Sequence, residues 1–435
     1  NTVVGRITIP FEEDGEVKRL SVGQARNKFF SPDRKVREEV FKRWQKAWEE
    51  HADLCAAALN HLGGFRLNLY RHRGWDSVLK EPLDDNRMTL ETLETMWGVI
   101  DGNKERLIPY FRRKAELLGL DVLRWCDLDA PIPGGEKSIS YDEAADFIIE
   151  QFGRFNPDLA EFARTAFTDR WIEAEDRSGK RPGGFCTAFP VTGQSRIFMT
   201  FGGTTGNIST LAHELGHAYH QQVMGDLPYW SQLYSLNVAE TASTFAELIV
   251  TDAAIRHASS DAERLGLLEE KLQRSAAFFM DIRARFLFET RFYDERKMGS
   301  LSVDRLNELM VKAQREAFAD ALAEYDPTFW ASKLHFYITG QPFYNFPYTF
   351  GFLFSAGIYG RAREEGKAFA EKYAALLRDT GRMNVEDLAA RHLGVDLKRP
   401  DFWQSAVDQV LSDVELFLRL SEKRALSGDE GAASS

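Results

Sequence analysis

The stretch Ser209-Thr210-Leu211-Ala212-His213-Glu214-Leu215-Gly216-His217-Ala218-Tyr219-His220 places two histidines four residues apart with a glutamate directly after the first. On a helix that spacing sends both imidazoles off one face, one turn apart, where they can hold a single metal ion, with Glu214 projecting beside them. Neutral imidazole is a good zinc ligand, and a carboxylate beside an open coordination position can accept a proton from metal-bound water. Two histidines on an amphipathic helix can also be satisfied core or surface groups, so a third ligand is needed. Val238-Ala239-Glu240-Thr241-Ala242-Ser243-Thr244-Phe245-Ala246-Glu247 supplies a candidate. The chain between His217 and Glu240 is long enough to finish one helix, cross a loop with Gly225 and Pro228, and return on a second. Two His and one Glu leave the fourth position open, the arrangement of a catalytic rather than a structural zinc. Glu247, two turns after Glu240 on the same face, could accept the outer N–H of a ligating histidine or be a plain solvated residue. His220 falls one turn beyond His217 and is expected only to line the cleft.

Outward from this stretch, helical punctuation dominates. Ser31-Pro32 opens an amphipathic run through Val36, Val40, Phe41, Trp44 and Trp48 that is expected to continue past Leu59 and stop at Gly63-Gly64. Ser140 with Glu143 forms a capping-box pattern for a helix from Tyr141 to Phe152, followed by another from Pro157 through Trp171. Further helices are expected over 89–118, with a break near Gly102 or Pro109, and over 208–223, 233–257, 261–297, 303–324, 342–364, 367–379, 385–392 and 400–424. The exception is Gly183–Gly203, where two β-prone runs, Phe185–Pro190 and Arg196–Phe201, flank the turn signal Thr192-Gly193 and predict a small hairpin. Gly202-Gly203-Thr204-Thr205-Gly206 lacks the Gly-Lys-Ser/Thr ending of a phosphate loop and reads as a turn into a helix cap.

The remaining composition excludes several classes. Of 435 residues, 44% are hydrophobic and 28% charged, ordinary for a globular chain. The net charge of −11 leaves no positive field for a polyanion, so nucleic acid is not an expected partner. Cys55, Cys126 and Cys186 are too few and too dispersed for a disulfide framework or a CxxC site. No run approaches the ~18 apolar residues of a membrane span, and NTVVGRITIP lacks the regions of a signal peptide, so a cytoplasmic protein without a membrane partner is expected. Pro131-Ile132-Pro133-Gly134-Gly135 is the best candidate boundary. It divides a helical N-terminal region, 1–130, from a region 131–425 that holds the metal motif, with 426–435 as a disordered tail.

HELGHAYHQ followed by VAETASTFAE resembles the zinc peptidase family of oligoendopeptidase F and thimet oligopeptidase, the oligoendopeptidase F branch above all. Arg73-Gly74-Trp75-Asp76-Ser77 resembles that branch's Arg-Gly-Tyr-x-Ser stretch, with Trp75 for the usual Tyr. His335-Phe336-Tyr337 and Phe343-Tyr344-Asn345-Phe346-Pro347-Tyr348-Thr349-Phe350-Gly351 resemble its tyrosine-rich segment. The resemblance runs from about Gly5 to about Leu420. It implies a mainly α, two-lobed zincin-like fold with a small β-sheet beside the HExxH helix and a substrate cleft or channel. It also implies one Zn2+ per chain, His213, His217 and Glu240 as ligands, and Glu214 as general base and proton shuttle. His335, Tyr344 and Tyr348 would correspond to the set that holds substrate and stabilises the oxyanion; plain core packing is the other reading of that aromatic segment. The implied activity is endopeptidase cleavage of short unstructured peptides, with a dipeptidyl-carboxypeptidase-type exopeptidase or a silent metal-containing peptide binder as alternatives. Members of the family usually carry roughly 100–200 further N-terminal residues, mostly helical, that form one wall of the channel, so with Asn1 as the first residue the expectation is either a processed or truncated product or a channel whose wall is absent or incomplete.

Overall fold

The protein is described here from a computed structural model, which covers residues 2–13, 15–133, 138–177, 180 and 183–432, with side chains to Glu422. It is mainly helical, with two small sheets. Its contacts divide the chain into two compact units, each assembled from three separate stretches: Asn1–Pro82, Asp101–Pro133 and Gln273–Phe346 in the first, and Leu83–Ile100, Gly134–Leu272 and Pro347–Ser435 in the second. One crossing falls at Pro133, inside the expected boundary, but the chain does not divide there once and for all.

In the first unit the helix Arg34–Glu49 starts on Asp33, whose side chain accepts from the Lys35 amide, and buries Val40, Phe41, Trp44 and Trp48. An antiparallel hairpin, Thr8–Glu13 with Glu16–Ser21, packs on this helix; the sequence reading had no strand there. Its alternation is one-sided only in the first strand, where Ile9 and Phe11 are buried, while the second exposes all but Leu20. The expected stop at Gly63-Gly64 is overturned. The first helix ends at Glu49, and a second, Ala52–Arg73, runs straight through both glycines to a left-handed Gly74. A Cβ on Gly63 would lie 2.8 Å from the Phe292 ring and one on Gly64 2.4 Å from the Arg296 guanidinium, so these glycines allow close helix packing. The expected single helix over 261–297 carries a π-helical turn, Ala277–Asp281, between Asp261–Ala276 and Ile282–Arg296. The helix from Val303 ends at Ala317 rather than 324, because Ala319 and Asp320 adopt positive φ.

In the second unit the predicted hairpin forms from Phe185–Phe189 and Gln194–Phe198, in register Phe185↔Phe198, and Ile172–Glu173 adds a parallel strand on the far side of Gln194–Phe198. This sheet packs on the helix Thr205–Met224, which carries the HExxH motif and lies along the helix Leu236–His257. The capping box at Ser140 is present, with Glu143 accepting from the Ser140 amide at 2.9 Å. A C-terminal helix, Pro400–Ala432, runs through most of the segment expected as a disordered tail; residues 433–435 lie outside the described ones. Among the described residues no helix is long and apolar enough to cross a membrane.

Candidate metal centre

The HExxH helix is launched by Thr204. Its hydroxyl accepts from the Asn207 amide at 3.2 Å, while Asn207 Oδ1 accepts from the amides of Gly202 at 2.8 Å and Thr204 at 3.3 Å. The glycine-rich stretch is therefore the turn into a capped helix. Gly216, between the two histidines, faces the partner helix so closely that a Cβ there would lie 2.5 Å from Ala242 O and 2.6 Å from Ser243 Cα. That contact lets Glu240 reach the histidines.

The resulting constellation is tight. His213 Nε2 lies 3.3 Å and His217 Nε2 3.7 Å from Glu240 Oε2, and ligand atoms of the three residues fall within 4.8 Å of one another. Burial, with His213 nearby, pulls the His217 imidazole down to about 4, so it is neutral near pH 7. Burial works against the Glu240 carboxylate, but the His213 and His217 imidazoles and the Ser243 hydroxyl outweigh it and hold it at about 2. Ser243 Oγ donates to Glu240 Oε2 at 3.0 Å and orients it. A neutral imidazole and an anionic carboxylate turned on one point form the donor set of a divalent metal such as zinc. His213 Nδ1 meets Glu247 Oε2 at 3.2 Å, which places Glu247 against the ring nitrogen facing away from the cluster.

Glu214 is 5% exposed, and its Oε2 has no hydrogen-bond partner among the described residues. Burial and the Glu240 charge raise its carboxyl to about 7, against a lowering by His213. Its cradle is narrow, since a Cβ on Gly184 would come within 2.9 Å of Glu214 Oε1. An orphaned buried carboxylate beside three convergent donors is costly unless a ligand or substrate completes it.

His220 does not line a cleft. It is fully buried, its Nε2 is 2.8 Å from Thr380 Oγ1, and its ring stacks on Tyr234 at 4.2 Å. Tyr348 sits on the helix Phe346–Glu365, one turn before Gly351, where a Cβ would lie 2.9 Å from Glu240 Cβ. That helix thus packs on the turn carrying Glu240. His335 and Tyr344 belong to the first unit, their rings 5.1 Å apart. Sequence reasoning missed Ser243 and Asn345, although both stand inside the stretches it singled out, and missed Arg285 entirely. Asn345 Oδ1 accepts from His335 Nδ1 at 2.7 Å and from Arg285 Nη1 at 2.9 Å.

A family model for peptidase family M3 matches residues 154–409, more than half of the chain and all of the metal cluster. The chain belongs to peptidase family M3. It is 24% identical over 407 residues to the oligopeptidase PepF of Bacillus subtilis, covering 91% of this chain and 59% of that one. It is 26% identical over 399 residues to the group B oligopeptidase PepB of Streptococcus agalactiae, covering 90% and 65%. This M3 chain therefore spans about three-fifths of the length of these relatives. The crystal structure of oligoendopeptidase-F from Enterococcus faecium superposes with a TM-score of 0.74 at 20% identity, covering 96% of this chain and 69% of that one. The oligoendopeptidase F resemblance and the mainly helical fold with a small sheet beside the HExxH helix are thus borne out.

Proposed function

We propose that this M3 chain is a zinc-dependent oligopeptidase that hydrolyses internal bonds of short, unstructured peptides. The convergence of His213, His217 and Glu240 beside the buried Glu214, whose Oε2 has no hydrogen-bond partner among the described residues, carries the reading. His213, His217 and Glu240 hold one zinc ion, and Glu247 fixes the His213 ring through Nδ1. When bound, zinc supplies Lewis acidity that activates water and polarises the scissile carbonyl. Glu214 takes the proton from the attacking water and passes it to the leaving amine, a role its desolvated carboxylate suits. The phenols of Tyr344 and Tyr348 donate to the developing oxyanion, and His335 holds the substrate.

The test is metal analysis of the purified protein together with cleavage of a quenched fluorescent peptide of roughly ten residues, with and without a chelator. About one zinc per chain with chelator-sensitive cleavage at an internal bond is expected. Glu214→Gln should keep the metal and lose on the order of 10²–10⁴ in turnover. A Glu214→Gln protein with near wild-type kcat removes the residue from the mechanism. Parallel substrates with free and amidated C-termini separate the endopeptidase from an exopeptidase that anchors the terminal carboxylate, which should fail on the amide.

A further inference from the structure

We propose that a cavity within the first unit binds a small monocarboxylate bearing a single aromatic ring, with the Lys333 ammonium receiving the carboxylate.

The cavity has a volume of about 140 Å³, and the residues that line it all belong to the first unit. Its deep walls are aromatic. Phe29, Trp44, Phe111 and Phe318 are each 7% exposed or less, and Trp125 meets Phe318 and Phe329 edge-on, with centroids 5.6 and 5.2 Å away. An apolar cavity of roughly 150 Å³ takes up benzene, so this one has room for one ring with a short substituent and none for a length of peptide. Aromatic walls favour a ring further, since edge-on and offset contacts add to the gain from burial.

The charged groups that line the cavity decide what the substituent is. Asp281 holds the Arg285 guanidinium through both oxygens, with Nε donating to Oδ1 at 3.1 Å and Nη2 to Oδ2. Asp129 accepts from Arg26 Nη2 at 2.6 Å and from Gln273 Nε2 at 3.1 Å. Asp326 turns to Thr328, accepting from its amide at 2.9 Å and its hydroxyl at 2.8 Å. Both guanidinium groups and all three acids are therefore engaged. Lys333 is the exception: among the described residues no acceptor lies within hydrogen-bond reach of its Nζ, which stands 5.8 Å from the centroid of the Phe329 ring. Burial, with Arg285 and Arg26 adding to it and Asp281 and Asp129 opposing it, brings this ammonium down to about 8. Near pH 7 it is still charged and offers three donors with nothing to receive them. A half-buried cation in that state is costly, and a ligand carboxylate relieves the cost. A ligand ammonium would instead add a positive charge beside Arg26, Arg285 and Lys333. With the two guanidinium groups already paired, one carboxylate is satisfied and a second is not.

The test is a ligand-observed NMR titration of the full chain at pH 7 with three probes that share one ring: phenylacetate, its neutral isostere phenylacetamide, and the cation phenethylamine. Phenylacetate should bind about tenfold more tightly than the amide, with phenethylamine the weakest. Equal affinities for the three, or no phenylacetate binding at about 10 mM, overturn the site. Lys333→Met keeps the apolar stem and removes the charge, so phenylacetate should fall to the level of phenylacetamide while the amide binds as before. A Lys333→Met protein that keeps the preference for the anion puts the anion site elsewhere and overturns the assignment. Lys333→Gln repeats the comparison with a polar, uncharged side chain. Because the ammonium has no partner to lose, both variants should melt no lower than wild type. A marked loss of stability in both means that the fold already supplies Lys333 with a partner, which also overturns the inference. None of these readouts depends on peptidase activity, so zinc-loaded protein that cleaves no peptide defeats the proposed function and leaves this site standing.

Discussion

Glu247 meets the candidate metal cluster at the far nitrogen of His213, at 3.2 Å, and so separates holding a metal from using it. Removing such a partner frees the ring and weakens its basicity, typically by 10–100-fold in metal affinity. Glu247→Ala should accordingly raise the zinc dissociation constant by about that factor, measured by competition with a chromophoric chelator, while Glu240→Ala, which deletes a ligand, should lose far more. Full zinc occupancy in purified Glu240→Ala would mean that another carboxylate is the ligand. The cluster was legible in the sequence because its spacings are helix geometry: four residues bring His213 and His217 to one face, and seven bring Glu240 and Glu247 to one face. The same logic misplaced His220, since the period that aligns it with His217 says nothing of the Tyr234 and Thr380 side chains that enclose it. Arg285 was invisible for a like reason, because it meets Asn345 across sixty residues and only the tertiary fold joins them.

Among the elements, the contact between the helices Thr205–Met224 and Leu236–His257 sets the geometry of the site, and Gly216 sets that contact. A methyl there would meet backbone, Ala242 O at 2.5 Å and Ser243 Cα at 2.6 Å, and backbone cannot swing aside as a side chain can. Gly216→Ala should therefore push the helices apart, cost on the order of 3 kcal/mol in stability, and weaken zinc binding together with it. Gly98→Ala is the matching control. Gly98 is an exposed position inside the helix Leu90–Asn103 with nothing within 4 Å of its would-be Cβ, and the change should stabilise by about 0.5–1 kcal/mol. Thermal melts with and without zinc compare the two, and equal effects would show that the close approach is not what Gly216 is for. Glycine is also where the sequence misled at this scale. Gly63-Gly64 looks like a helix stop, yet each faces a bulky neighbour, Phe292 or Arg296, that no local pattern announces. The second hairpin was legible through Thr192-Gly193, with Gly193 at φ +65°, whereas the Thr8–Ser21 hairpin hides behind a largely polar second strand.

Over the whole molecule, each unit is closed by chain that returns from far along the sequence, and the first unit is completed by Gln273–Phe346. That returning stretch carries a buried acid, Glu289, whose Oε1 accepts from the Phe343 amide at 2.9 Å. Phe343 has φ +52°, a left-handed conformation that costs a non-glycine residue about 1–3 kcal/mol, so the carboxyl group pins a strained turn directly before Tyr344. Burial raises the Glu289 carboxyl to about 7, against the Phe343 amide and Arg66, which favour the charged form. A folded-state value above the ordinary carboxyl value of 4.5 means that the folded protein binds the proton more tightly, so this contribution is fully present below about 4.5 and is lost as pH rises through 7. Glu289→Gln keeps an acceptor for the Phe343 amide and has nothing to ionise. The variant should therefore gain stability relative to wild type as pH rises from about 5 to about 8, by on the order of 2–3 kcal/mol, in parallel urea titrations. A difference between the two proteins that stays flat across that range would place the Glu289 carboxylate in a solvated or ion-paired setting, and the strained turn before Tyr344 would then need another anchor.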